Sequence, residues 1–180
     1  MPLVEITENS HPIKLELRYA SENNFLGKVI YKNTKCFLHE SAMPMFEKAI
    51  LFADKQGLRL KIFDAFRPKA AAQALWDFCP NPIYVADPKK GSNHTRGIAI
   101  DLTLIDRSGV ELSMGTPFDD FTEMSHHSAV LPKEEAVNRF LLLGIMMSSG
   151  WDLYMNEWWH YQLFSPKDYP LIDEDYGIMS

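Results

Sequence analysis

Hydrophobic positions along this chain fall into runs of distinct spacing, and each spacing predicts a different element. From Ser41 onward, Met45, Phe46, Ala49, Ile50 and Ala53 recur on one helical stripe, and Gly57 closes it. Leu58, Leu60 and Ile62 then alternate with Arg59, Lys61 and Phe63, the two-residue period of a strand. Pro68 suits the first position of a helix running from Ala70 to Phe78, and Pro80 and Pro82 stop it. The clearest strand is Gly97 to Leu104. Ile98, Ile100, Leu102 and Leu104 share one face; Gly97, Ala99, Asp101 and Thr103 share the other. Pro132 opens a second strong helix, KEEAVNRFLLLGIMM, with acids near its start and Gly150 beyond its end. Leu15 to Tyr19 alternates weakly as a further strand, and Trp151 to Tyr154 with Trp158 to Phe164 reads as a closing hairpin. No repeat or linker divides the chain. The mixed order, without regular βαβ alternation, predicts an α+β fold: one domain over residues 1–180, with helices packed on a small antiparallel sheet.

Composition narrows the classes. Apolar residues are 46% and charged residues 23%, which excludes a largely disordered chain. A net charge of −6 argues against a nucleic-acid partner bound through a broad basic surface. The first 17 residues carry no leader pattern, and no apolar run approaches the roughly 18 residues of a membrane span. The expectation is a cytoplasmic protein with neither membrane nor nucleic-acid partner. Its oligomeric state is not legible. Two cysteines cannot build a disulfide framework; Cys36 and Cys79 read as buried free thiols.

Three segments carry candidate chemistry. In Ser92-Asn93-His94-Thr95-Arg96-Gly97-Ile98-Ala99-Ile100-Asp101, a His precedes an Asp by seven residues at a loop-to-strand junction. Asp101 lies on the small-residue face, where a ligand has room, although a pair with a nearby Arg would also explain it. In Glu157-Trp158-Trp159-His160-Tyr161, His160 adds a second imidazole, and a packed aromatic cluster is the plainer alternative. His94, Asp101 and His160 together match an open zinc site, three protein ligands with a fourth position left to water of pKa near 7. Glu157 is the candidate base. Residues three apart lie on opposite faces of a regular strand, so Glu157 must sit in a turn before it. In Phe63-Asp64-Ala65-Phe66-Arg67-Pro68, Arg67 leaves a strand and precedes a helix. It can project into a cleft as an oxyanion partner, or simply pair with Asp64. His126 and His127 are adjacent and read mainly as loop packing.

SNHTRGIAIDLTL, DAFRP and EWWHY, in this order, resemble the D-alanyl-D-alanine dipeptidases, zinc peptidases of the vancomycin-resistance type and their housekeeping relatives. Tyr19 to Gly27, Phe118 to Phe121 and Ser125 to His127 extend the likeness over most of the chain, from about Leu15 to Phe164. The resemblance implies a hedgehog/DD-peptidase-like fold with one Zn2+ per chain in its cleft. It implies His94, Asp101 and His160 as zinc ligands, Glu157 as catalytic base and acid, and Arg67 as transition-state stabiliser. It further implies that Ser92 and Tyr19 hold a short substrate, D-Ala-D-Ala, and that Asp119 meets its ammonium. The short link between Trp76 and Gly91 points to the housekeeping branch. Rival readings are a carboxypeptidase or endopeptidase acting on longer stems, a non-catalytic zinc-bearing binding domain, and a structural zinc protein.

Overall fold

A computed structural model describes residues 3–180. Strand β1 (Leu3–Ile6) pairs antiparallel with β3 (Cys36–His39) in a small two-stranded sheet. The main sheet has five strands: β2 (Lys14–Leu15), β4 (Leu58–Asp64), β5 (Ala99–Asp106), β6 (Asp152–Leu153) and β7 (His160–Gln162). Their order is β2-β4-β5-β7-β6. It is antiparallel except at one edge, where β2 lies parallel to β4. The helices are α1 (Met43–Lys55), α2 (Lys69–Phe78) and α3 (Lys133–Ser149). The α+β expectation holds, with a mixed rather than wholly antiparallel sheet.

The apolar patterns fold as physics dictates. Ile98, Ile100, Leu102 and Leu104 of one β5 face are fully buried, in a core shared with Phe46, Ala49 and Ala53 of α1 and Leu142, Ile145 and Met146 of α3. Each of the larger of these side chains contributes roughly 1.5–3 kcal/mol by leaving water. A second cluster gathers Tyr19, Tyr31, Phe37, Phe66, Leu75 and Val85. The strand expected over Leu15 to Tyr19 ends at Leu15, and the chain turns through a 3-10 helix at Arg18–Ala20. The reason is visible in the packing: Leu17 enters the first core and Tyr19 the second, so no single sheet face holds both. Pro68 stands just outside α2, its ψ of 151° being extended. The closing hairpin exists, but its strands are short because residues 154–159 form the turn.

Two irregularities position the site. A register shift between Ile62 and Asp64 sets Asp64 opposite Asp101. Gly97, with φ of +71°, ends a 3-10 turn at His94–Arg96. A Cβ there would lie 3.3 Å from the His39 backbone nitrogen, which donates to the Gly97 carbonyl at 2.7 Å. Both the dihedral and the close approach call for glycine. Among the described residues, no helix is long and apolar enough to cross a membrane.

Candidate active site

The register of β5 against β7 places Asp101 directly opposite His160, so residues 59 apart in sequence become cross-strand neighbours on one face. His94 comes to the same point from the turn preceding β5. His160 Nδ1 lies 3.0 Å from Asp101 Oδ1, His94 Nε2 lies 3.3 Å from Asp101 Oδ2, and the two ring nitrogens are 3.2 Å apart. All three side chains are buried.

The outer atoms of both rings decide which nitrogens are bare. His94 Nδ1 stands 2.7 Å from the Ala65 carbonyl, which can only accept; Nδ1 therefore carries the hydrogen and Nε2 a lone pair. His160 Nε2 stands 3.1 Å from Gln162 Oε1, an oxygen that also accepts from Asn93 Nδ2 at 2.6 Å. Its hydrogen is thus on Nε2, and Nδ1 is bare. Three acceptors face one another at hydrogen-bond distance with no donor between them, an arrangement that a cation satisfies. The ligand atoms lie within 4.8 Å of one another, and no other such group of three or more occurs among the described residues. His94, Asp101 and His160 form a metal site.

Two charged groups flank it. Glu157 sits in the turn before β7, its backbone N–H donating to the Tyr154 carbonyl at 3.2 Å. This turn resolves the spacing problem: Glu157 Oε2 comes within 3.8 Å of His160 Nδ1 despite the three-residue separation. Burial pushes the Glu157 carboxyl up to about 8, with His160 opposing and Asp101 reinforcing the rise. Burial also acts upward on Asp101, but when the imidazoles carry protons in place of a cation, the charge on His94 and the hydrogen bond from His160 outweigh it and hold Asp101 below the usual range. Arg67 Nε and Nη2 both donate to Asp64 Oδ2 at 2.8 Å, and Nη2 is 3.6 Å from Asp101 Oδ2. The guanidinium lies 5.0 Å from the centre of the Tyr19 ring. Arg67 therefore does both things its sequence context allowed: it pairs with Asp64 and faces the cleft.

A cavity of about 300 Å³ is lined by all eight residues singled out in the sequence: Tyr19, Arg67, Ser92, His94, Asp101, Asp119, Glu157 and His160. Tyr19 Oη donates to Asp119 Oδ2 at 3.1 Å, and removal from water, reinforced by Asp101, raises the Asp119 carboxyl well above its usual range. Ser92 Oγ accepts from the His94 backbone N–H at 3.2 Å.

A family model described as D-ala-D-ala dipeptidase (Peptidase_M15) matches residues 1–176. The chain belongs to this family. It is 43% identical over 177 residues to the D-alanyl-D-alanine dipeptidase of Escherichia coli, covering 97% of this chain and 91% of that one. It is 33% identical over 190 residues to a D-alanyl-D-alanine dipeptidase of Enterococcus faecalis, covering 92% of each chain. The Streptomyces coelicolor D-alanyl-D-alanine dipeptidase is 30% identical over 176 residues, with 84% and 86% covered. Among solved structures, a vancomycin-resistance D,D-pentapeptidase in complex with Zn(II) matches 73% of this chain and 75% of its own, at 16% identity and a TM-score of 0.49. Membership makes this chain a metallopeptidase, a hydrolase, and the metal site described above fits that chemistry.

Several residues of the site carry no local sequence signal. Tyr31 Oη donates to Asp64 Oδ1 at 2.8 Å and so helps hold the partner of Arg67. Arg139 of α3, buried and without a carboxylate, donates to the carbonyls of Met114 (2.6 Å), His126 (3.1 Å) and Met124 (2.9 Å). These bonds pin both ends of the loop that carries Asp119. Arg139 stands at the head of the apolar run Phe140 to Met147, directly after Asn138, where a cation reads as an ordinary exposed residue. His126 and His127 stand outside the metal group. His126 Nε2 is 3.3 Å from Tyr84 Oη, and burial next to Arg139 brings His127 down to about 4. Cys36 is buried and Cys79 partly exposed, both free.

Proposed function

We propose that this chain hydrolyses D-Ala-D-Ala to two D-alanines, as part of cell-wall precursor turnover, with one Zn2+ held by His94 Nε2, Asp101 and His160 Nδ1. The observation that carries the reading is the set of three mutually facing acceptors beside a buried carboxyl and a buried guanidinium in one small cavity. Zinc bound there supplies a Lewis acid that polarises a carbonyl and lowers the pKa of water.

The chain's own residues do the rest. Glu157 takes a proton from the attacking water and passes it to the departing amine nitrogen as the C–N bond breaks. The buried setting that lifts Glu157 toward about 8 suits a group that must both take and give a proton near neutrality, and a cation on its neighbours pulls that value down. Arg67, fixed by Asp64, stabilises the negative charge that develops on the carbonyl oxygen. Asp119 with Tyr19 receives the substrate's ammonium, and Ser92 contributes to holding the dipeptide. At about 300 Å³ the cavity is at the small end of ligand pockets, which suits a dipeptide.

The test is release of free D-alanine from D-Ala-D-Ala by the zinc-loaded protein. Turnover that disappears in Glu157→Ala supports the reading. Absence of turnover in fully zinc-loaded wild type would overturn it.

A further inference from the structure

Residues 81–85 form a strap between α2 and Gly91, seated in the second core through Val85. We propose that this strap, locked by Tyr84 and Tyr154, is the wall that sets substrate length, admitting a dipeptide with a free amine and excluding peptides extended at that end. The proposal rests on the dipeptidase reading above.

The strap is a built element. Pro80 and Pro82 end α2, and Asn81 folds the chain back. Asn81 Oδ1 accepts from the Ile83 N–H at 3.1 Å, and its carbonyl accepts from Tyr84 (3.1 Å) and Val85 (2.9 Å). Val85 is buried in the second core, while Ile83, Tyr84 and Val85 line the active-site cavity.

Three contacts lock it to the far side of the cleft. Tyr154 Oη donates to the Ile83 carbonyl at 2.8 Å. The Tyr84 ring stacks on Phe121, with centroids 4.9 Å apart and planes 15° apart. Tyr84 Oη is 3.3 Å from His126 Nε2. Phe121 in turn meets Phe25 at 4.9 Å, and Phe25 meets Tyr19 at 6.3 Å. An aromatic wall thus runs from the strap to Tyr19, whose hydroxyl holds Asp119. The wall stands on the side where the ammonium is met, and a residue added there would collide with Tyr84 and Phe121. The Tyr84 side chain meets Phe121 and His126, neither of them a metal donor, while the Tyr154 ring lies 6.0 Å from that of His160, so Tyr84 is the residue that reports on substrate fit alone.

The experiment compares kcat/KM for D-Ala-D-Ala with that for a tripeptide ending in D-Ala-D-Ala, in wild type, Tyr84→Ala, Tyr84→Phe and Tyr154→Phe, all zinc-loaded. Wild type should cleave only the dipeptide. Tyr84→Ala should shift the ratio toward the tripeptide by about tenfold or more, the scale on which a pocket discriminates by size. Tyr84→Phe, which keeps the stack, should stay near the wild-type ratio. Tyr154→Phe, which keeps its ring and loses the bond to Ile83 together with the longer one accepted from Asn156 Nδ2 at 3.3 Å, should shift the ratio less than Tyr84→Ala in the same direction, and it tests the lock even where Tyr84→Ala fails to fold. Tripeptide cleavage by wild type, or an unchanged ratio in a folded Tyr84→Ala or in Tyr154→Phe, would overturn the strap's role while leaving the dipeptidase reading standing. Wild type that cleaves neither peptide would overturn both.

Discussion

The two sides of this cavity are built by different means. The metal side rests on the sheet: Asp101 and His160 are paired by strand register, and His94 is fixed by the Ala65 carbonyl next to the same strands. The substrate side rests on loops: Asp119 lies on the stretch pinned by Arg139, and Tyr84 lies on the strap pinned by Tyr154. Strand register fixes donor atoms because a slip by one residue would turn Asp101 to the other face. Loops held by side-chain bonds to backbone carbonyls can be altered one contact at a time. Chemistry therefore should be sensitive to any change on the sheet side, and selectivity to changes on the loop side.

The largest effect is expected at Glu157, which sits in the turn before β7 and is set against the sheet-held His160 at 3.8 Å. Glu157→Gln should keep the fold and bind zinc yet lose about three orders of magnitude in kcat, the range of a lost general acid–base. Steady-state kinetics on metal-quantified protein checks it, and near-normal kcat would remove Glu157 from proton transfer. Next comes Arg67→Ala, which removes a donor aimed at developing charge and should cost about 3 kcal/mol of barrier, roughly two orders of magnitude in kcat. An effect confined to KM would move Arg67 to the binding side.

Arg139→Met tests the loop side. It leaves the Met114, Met124 and His126 carbonyls without their partner and should cost on the order of 2 kcal/mol of stability. Asp119 then loses its anchored loop, so KM should rise more than kcat falls, and Arg139→Lys should recover part of both. Thermal unfolding together with the KM-against-kcat split distinguishes a positioning role from simple loss of fold.

The smallest effect concerns pH in the metal-free protein. Glu157 rises from its ordinary 4.5 to about 8 on folding, so the folded state holds its proton more tightly. The stability it contributes is complete below about pH 4.5 and is lost as pH rises through 8. The melting temperature of metal-free wild type should therefore fall between pH 5 and pH 8.5, and the slope should flatten in Glu157→Gln. Equal slopes would contradict the assignment.

How much could be read from the chain divides along the same line. The alternation of Ile98, Ile100, Leu102 and Leu104 fixed β5, and the helical stripes of α1 and α3 were legible, because burial on one face writes a period into the sequence. The positions of His94, Asp101, Glu157 and His160 could be picked out, but their convergence depends on strand register and a turn that no local spacing encodes. Tyr31, Arg139, Tyr84 and Tyr154 were not singled out. Each acts through one hydrogen bond or a few to residues far away in sequence, and such contacts leave no periodic trace. The β1–β3 sheet went unseen for a similar reason: Leu3–Ile6 and Cys36–His39 are four residues each, too short to show a period. The bulge at Ile62–Asp64 likewise sits within a run that alternates normally.

The central claim is that His94, Asp101 and His160 present three bare acceptors to one cation. Calorimetric titration of the metal-free protein with Zn2+ tests it most directly, with His160→Ala and Asp101→Ala beside wild type. One equivalent bound tightly by wild type, with affinity largely lost in both variants, is the expected result. Undiminished single-site binding in either variant, or no binding by wild type, would contradict the claim.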